Sequence, residues 1–159
     1  MPKRPAAIHI SRRFPAPPER VFRAWIDPAI AGRWLFATAT QPMTRVAIDP
    51  RVDGSFLLAH RHHGTSLAYS GRYLEIVPPR RLAFTVAAEH QPGTETRVSV
   101  EFVPRGAGCD VNVVNEGVPP AHAEHAEGRW TGLLYGLGVT LDKTSSAKSV
   151  RAAQRRSKR

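Results

Sequence analysis

Hydrophobic and polar residues alternate along much of the chain, and this alternation predicts β-strands. In the segment TRVSVEFVP, the hydrophobic residues Val98, Val100 and Phe102 lie at every second position. A period of two is typical of a strand with one buried face. A first strand at 8–14 and similar stretches between 38 and 117 together predict about seven strands, joined mostly by short turns into an antiparallel sheet.

A helical spacing follows the first strand and returns at the end of the chain. The segment PAPPERVFRAWIDPAIAGRW predicts two short helices, the first beginning at Pro17-Pro18 and ending at Asp27-Pro28. The segment PPAHAEHAEGRWTGLLYGLGVTL predicts one long helix with a hydrophobic stripe. Because an antiparallel sheet has one apolar face to cover, we expect the long helix to pack on it. The predicted class is α+β.

The segment YSGRYLEI contains a conflict of parity. Arg72 and Glu75 lie at opposite parity, so a regular strand cannot point both charged side chains to solvent. A β-bulge between Tyr73 and Glu75 would resolve the conflict, and the alternative is that one of the two faces inward. Gly71 marks a position where another backbone can approach closely.

Four blocks of the sequence carry a family resemblance: RFPAPPERVFRAWIDPAIAGRW, DGSF, GRYLEIVPPRRLAFTV and HAEGRWTGLLYGL. Together they resemble the START-related superfamily called SRPBCC. Within it, the chain resembles the C-terminal domain of the activator of the heat-shock chaperone ATPase, over roughly Ile8 to Leu141. The resemblance implies a helix-grip fold, in which a curved antiparallel sheet of six or seven strands surrounds a long C-terminal helix, with two small helices after the first strand.

The net charge of +10 is concentrated at one end of the chain. Seven of the 23 Lys and Arg residues, and no acid, lie in 143–159. We therefore expect an N-terminal arm at 1–7, a helix-grip domain at 8–142, and a basic tail at 143–159 that is disordered or a frayed helix. A tail of this kind can contact phosphates weakly or act as a solubilising extension, and nucleic acid is not an expected partner.

Several classes of protein are not favoured. No hydrophobic run approaches the roughly 20 residues that span a bilayer, and the first residues lack the long apolar core of a secretory signal. Cys109 is the only cysteine, so no internal disulfide can form, and a cytoplasmic location is predicted. No phosphate-binding loop or dinucleotide-binding glycine motif is present.

The resemblance implies a cavity between the sheet and the terminal helix, since proteins of this fold bind hydrophobic or amphipathic molecules there. Relatives often have a histidine before a glycine in the last strand, where this chain has Asn115-Glu116, at one edge of the expected pocket. For each hydrophobic candidate, plain core packing is the alternative. The residues predicted to line the pocket are Trp25, Trp34, Phe56, Leu58, Tyr69, Tyr73, Phe84, Phe102, Asn115, Trp130 and Leu134.

The candidates for catalysis are weaker. A Glu or Tyr in an apolar cavity can have a shifted pKa and transfer protons. No Ser/His/Asp or Cys/His arrangement accompanies them, so the sequence leans away from an enzyme. The weak candidates for proton transfer are Tyr69, Tyr73, Glu75 and His60.

Two groups of histidines raise the question of a metal. The first group is His60, His62 and His63, and the second is His122 and His125 with Glu124 and Glu127 nearby. A structural zinc site needs about four converging ligands, and no complete motif links the two groups. Neither a metal nor another cofactor is expected.

The favoured function is the binding of a hydrophobic or amphipathic small molecule between the sheet and the C-terminal helix. One alternative is a chaperone-cofactor-like or other protein-interaction module. Another is an enzyme acting on a small aromatic or polyketide-like substrate. A homodimer and a chaperone partner are left open.

Overall fold

The computed structural model describes residues 6–36, 43–62, 65–88 and 95–157. The strands are β1 (Ala6–Phe14), β2 (Arg45–Ile48), β3 (Ser55–His62), β4 (Thr65–Val77), β5 (Arg81–Ala88), β6 (Thr96–Arg105) and β7 (Gly108–Val118). The helices are α1 (Pro18–Ile26), α2 (Pro28–Trp34) and α3 (Ala123–Ser157), and a single 3₁₀ turn, Pro120–His122, precedes α3.

The strands form one antiparallel sheet in the order β1-β7-β6-β5-β4-β3-β2. Strands β2 to β7 each pair with their neighbour in sequence, as short turns allow. Strand β1 instead pairs with β7, so that Phe14 lies opposite Cys109. With α3 on the curved sheet and two short helices after β1, the protein has the predicted α+β helix-grip fold, and this prediction is confirmed.

The two short helices begin and end where the sequence predicts. Pro18 occupies the first turn of α1, where its missing N–H costs no hydrogen bond. Asp27 ends α1 and also caps α2, because its side chain accepts a hydrogen bond from the Ala29 N–H at 2.9 Å. One aspartate thus ends the first helix and caps the second, and both are too short to be stable alone.

The predicted bulge in β4 is present. The pairing of β4 with β5 shifts register between Tyr73 and Glu75. As a result, Tyr73 is buried while Arg72 is exposed, and Glu75 reaches the surface to form an ion pair with Arg81 at 3.2 Å. The extra residue lets two charged side chains of opposite parity both avoid the core.

Helix α1 fills the centre of the space between the sheet and α3. It contacts β6 and β7 on one side and α3 on the other. Its Trp25 ring meets the Trp34 ring edge-on at 4.7 Å and stacks on the Trp130 ring at 6.2 Å. The middle of the fold is therefore a packed aromatic core.

Helix α3 is anchored between Trp130 and Leu141. Its buried residues include Leu134, Leu137 and Leu141, and the Arg20 side chain donates a hydrogen bond to the Leu141 carbonyl. The backbone remains helical to Ser157, through most of the segment predicted as a basic tail. Within the described ranges, no helix is both long and apolar enough to cross a membrane.

Candidate functional site

A cavity of about 360 Å³ opens at one end of the fold, beneath the first turns of α3. It lies where β5 and β7 end and β6 begins. The lining residues are Phe36, Tyr69, Val86, Ala88, Thr96, Asn115, Val118, Pro119, His122, His125, Ala126, Arg129, Trp130 and Leu133.

The lining divides into a hydrophobic part and a polar part. Val86, Val118 and Leu133 are buried and face the cavity from β5, β7 and α3. The histidines His122 and His125 are exposed and stand at the start of the helix. The cavity is thus hydrophobic in its depth and polar at its rim, as small-molecule sites usually are.

A cluster of Arg129, Tyr69 and Phe36 stands at one side of the rim. The Arg129 guanidinium donates a hydrogen bond from Nη2 to the Tyr69 hydroxyl oxygen at 2.6 Å. It also lies over the Tyr69 ring at 4.8 Å and over the Phe36 ring at 5.7 Å. The two rings stack at 5.0 Å with an interplanar angle of 15°. The rings hold the guanidinium in place by cation–π attraction.

Asn115 links three elements of the cavity wall through its hydrogen bonds. Its Oδ1 accepts a hydrogen bond from Trp130 Nε1 at 3.1 Å. Its Nδ2 donates to Thr96 Oγ1 at 3.0 Å and to the Arg97 carbonyl at 3.1 Å. Since both amide hydrogens have partners, the side chain of Asn115 joins α3 to β6 and β7 and offers a ligand no unused donor.

The structure separates the predicted pocket residues into two groups. Tyr69, Asn115 and Trp130 line the cavity. The others lie in the packed core, each at most 4% exposed: Trp25, Trp34, Phe56, Leu58, Tyr73, Phe84, Phe102 and Leu134. Alternation along a strand identifies its inward face, but it does not tell which part of that face α1 and α2 cover.

The candidates for proton transfer do not converge on one point. Tyr69 is in the cavity, Tyr73 is in the core, and Glu75 is paired with Arg81 at the surface. His60 is buried on β3, and its Nδ1 has no hydrogen-bond partner among the described residues. Burial, and to a smaller degree the negative charge of Asp49, raises the pKa of Tyr73 far above its usual value. Tyr73 therefore stays neutral and keeps its proton.

Several lining residues were not predicted as pocket residues. Phe36, Arg129, His122 and His125 all line the cavity, yet the histidines drew notice only as metal candidates. The spacing of His122, His125 and Arg129, at i, i+3 and i+7, places them on one face of a helix. That pattern could have indicated a polar stripe above the pocket.

The described residues contain no cluster of three or more potential metal ligands. Among the described residues of the cavity lining, His122 and His125 are the potential metal ligands, and two are fewer than a zinc site needs. His63 and the side chain of His62 lie outside the described residues.

Cys109 is buried in the core, away from the cavity lining. Burial raises the pKa of its thiol to about 11, and the nearby charge of Asp110 adds to the effect. A protonated, buried thiol is a poor nucleophile.

On the surface, hydrogen bonds from Arg13 and then from Arg105 hold the pKa of Asp110 below its usual range.

Comparison with solved structures finds the same fold in bacterial proteins. Protein CV1439 from Chromobacterium violaceum is 30% identical, with a TM-score of 0.76 over 85% of this chain and 96% of that one. A protein from Rhodobacter sphaeroides is 24% identical, with a TM-score of 0.73 over 86% of this chain and 93% of that one. DynU16, a protein in the dynemicin biosynthetic locus, is 17% identical, with a TM-score of 0.70 over 86% of this chain and 47% of that one.

The last two structures are less than 25% identical and show the fold alone. No curated protein matches the chain. The sequence pattern of one family, described as "Activator of Hsp90 ATPase homolog 1-like protein", matches residues 15–142. The matched stretch runs from just before α1 to the last anchored turn of α3, and the chain belongs to this family.

Proposed function

We propose that the protein binds a small hydrophobic or amphipathic molecule in the cavity beneath the start of α3. The observation that carries the proposal is the cavity of about 360 Å³, with its hydrophobic depth and polar rim. Small-molecule sites typically measure roughly 300–1,000 Å³, so this one would suit a single compact ligand. Burial of the hydrophobic body of the ligand would supply most of the affinity, at about 25 cal/mol per Å².

The packing around the cavity supports this proposal. Trp130 lines the cavity and also stacks on Trp25, so the open space borders directly on a closely packed aromatic core. Well-packed interiors contain few voids larger than a water molecule. This space opens to the surface at the end of that core, so it is a cleft that a ligand could enter and not a defect within the core.

One protein with the same fold comes from a biosynthetic locus. DynU16 is described as a protein in a biosynthetic locus, and it shares the helix-grip architecture with this chain. At 17% identity it offers no guide to the ligand. The identity of the ligand has to be sought from the lining of the cavity itself.

A neutral fluorescent probe tests the proposal. N-phenyl-1-naphthylamine brightens in apolar surroundings and carries no charge. We expect it to brighten with the wild-type protein and to lose at least about 90% of that signal with Ala126→Trp, because the indole would occupy the cavity that Ala126 lines.

The matched control is Gly128→Trp. Gly128 lies on the same helix, two residues away, with nothing within 4 Å of an added Cβ, and it does not line the cavity. This variant should bind the probe like the wild type. Equal binding by Ala126→Trp and the wild type would contradict the proposed location.

A further inference from the structure

We infer that the ligand carries a carboxylate, and that Arg129 binds this carboxylate at the rim of the cavity. The inference rests on the proposed function and adds the chemical class of the ligand to it.

The guanidinium is fixed in place before any ligand arrives. Tyr69 accepts one of its hydrogen bonds at 2.6 Å, and the rings of Tyr69 and Phe36 lie beneath it at 4.8 and 5.7 Å. A long side chain held in this way loses little conformational freedom on binding, which favours affinity. Because the Arg129 side chain lines the cavity, its remaining N–H groups can donate hydrogen bonds to a ligand there.

No carboxylate neutralises this cation within the described part of the chain. The ion pairs found there involve other arginines, and none involves Arg129. The described lining contains no Asp or Glu. The acids Glu124 and Glu127 of the same helix are exposed and lie off the lining. Arg129 is half-buried and has no carboxylate partner among the described residues, so a bound anion would favour its charged form.

The shape of the guanidinium favours a carboxylate. Its planar fork can donate two parallel hydrogen bonds to the two oxygens of a carboxylate. Arg129 is the one residue of the described lining with a full positive charge, which matches a single negative charge on the ligand. His122 and His125 each add an N–H donor at the exposed mouth.

The rest of the ligand would lie deeper, against hydrophobic side chains. Val86 and Leu133 face the cavity and are buried. Both amide hydrogens of Asn115 are donated to groups of the protein, so Asn115 does not compete with Arg129 for the carboxylate of the ligand. The ligand is thus oriented with its carboxylate at the rim and its hydrophobic body inside.

Two competitors with the same hydrophobic body test the inference. Wild-type protein loaded with N-phenyl-1-naphthylamine is titrated at neutral pH with 2-naphthoic acid and with 2-naphthamide. The head groups are close in shape and differ in charge. We expect the acid to bind at least about tenfold more tightly than the amide, which corresponds to about 1.4 kcal/mol.

Variants connect this preference to one side chain. Arg129→Met is expected to abolish the preference for the acid while changing the affinity for the amide by less than about twofold. Arg129→Lys keeps the charge without the planar fork and should keep part of the preference. The control is Arg72→Met, since Arg72 is exposed and off the lining, and it should keep the full preference.

The wild-type protein also provides a measurement that needs no variant. Raising the NaCl concentration from about 0.05 to about 0.5 M should weaken binding of the acid but not of the amide, because salt screens the attraction between charges. Equal affinity for acid and amide, with the neutral probe still bound, would overturn the inference and leave the proposed function standing. If neither the neutral probe nor either competitor binds, both fail.

Discussion

At the scale of single residues, Asn115 and Arg129 line the same cavity but use their polar groups differently. Asn115 forms three hydrogen bonds, all within the protein, and in one of them it accepts from the buried Nε1 of Trp130. Arg129 gives a hydrogen bond to Tyr69 and has no ion-pair partner among the described residues. The first residue therefore stabilises the wall, and the second is suited to a ligand.

The stabilising role of Asn115 leads to a prediction. Asn115→Ala should lower the free energy of unfolding by about 1–3 kcal/mol, because it leaves the indole N–H of Trp130 buried without an acceptor. Urea denaturation measures this loss. The control is Asn112→Ala, which removes one exposed hydrogen bond from Ser11 and should cost less than about 0.5 kcal/mol. Equal losses for the two variants would contradict the assigned role.

At the scale of elements, Gly71 in β4 and Gly132 in α3 differ in how closely other atoms surround them. A Cβ added to Gly71 in β4 would collide with the Thr85 carbonyl of β5 and lie 2.7 Å from the Phe56 ring. Gly132 in α3 is exposed, with nothing within 4 Å of an added Cβ. The first glycine is required by close packing beside the bulge, and the second only lowers the helical propensity of α3.

The contrast gives two expected changes of opposite sign. Gly71→Ala should reduce the free energy of unfolding by about 1–3 kcal/mol or more, through overpacking against Thr85 and Phe56. Gly132→Ala should increase it by about 0.5–1 kcal/mol, because alanine favours the helix. Thermal and urea unfolding of the two variants provide the check. A neutral Gly71→Ala would show that β4 and β5 are not packed this closely in solution.

The sequence predicts the elements far better than it predicts the cavity. Periodicity reveals the strands, the helices and even the bulge between Tyr73 and Glu75, because each leaves a local pattern of polar and hydrophobic positions. Apart from the polar residues that its rim takes from one face of a helix, the cavity has no local pattern, since it depends on where α1 stops filling the space under α3. Trp25 and Trp130 are both large and buried, yet only Trp130 reaches the cavity. That difference arises from three-dimensional packing.

At the scale of the whole molecule, the part of α3 up to Asp142 and its extension differ in composition and in their match to the family. Leu137 and Leu141 are buried against the fold, and the family match ends at residue 142. The segment 143–157 continues the helix and, with the last two residues, carries seven of the 23 basic side chains of the chain. The buried leucines and most of the excess positive charge thus lie in different parts of the C-terminal region.

Truncation tests this division. Ending the chain after Asp142 should change the free energy of unfolding by less than about 0.5 kcal/mol, because the family match ends there and the residues beyond it are mostly polar or basic. Ending it after Gly136 removes Leu137 and Leu141 and should cost more than about 4 kcal/mol, from two buried leucines at about 2–5 kcal/mol each. Calorimetry of the two shortened proteins distinguishes them. Equal destabilisation by both truncations would contradict the division.

The pairing of β1 with β7 also constrains how the chain can assemble as it is synthesised. Ser11 of β1 and its partner Asn112 of β7 are 101 positions apart. A ribosome therefore releases β1 long before any partner for it exists, and this edge of the sheet can close only when nearly the whole domain has emerged. Contacts of such long range are formed at a high entropic cost and slow the folding of β-rich proteins. Strand β1 therefore stays unpaired until β7 has left the ribosome.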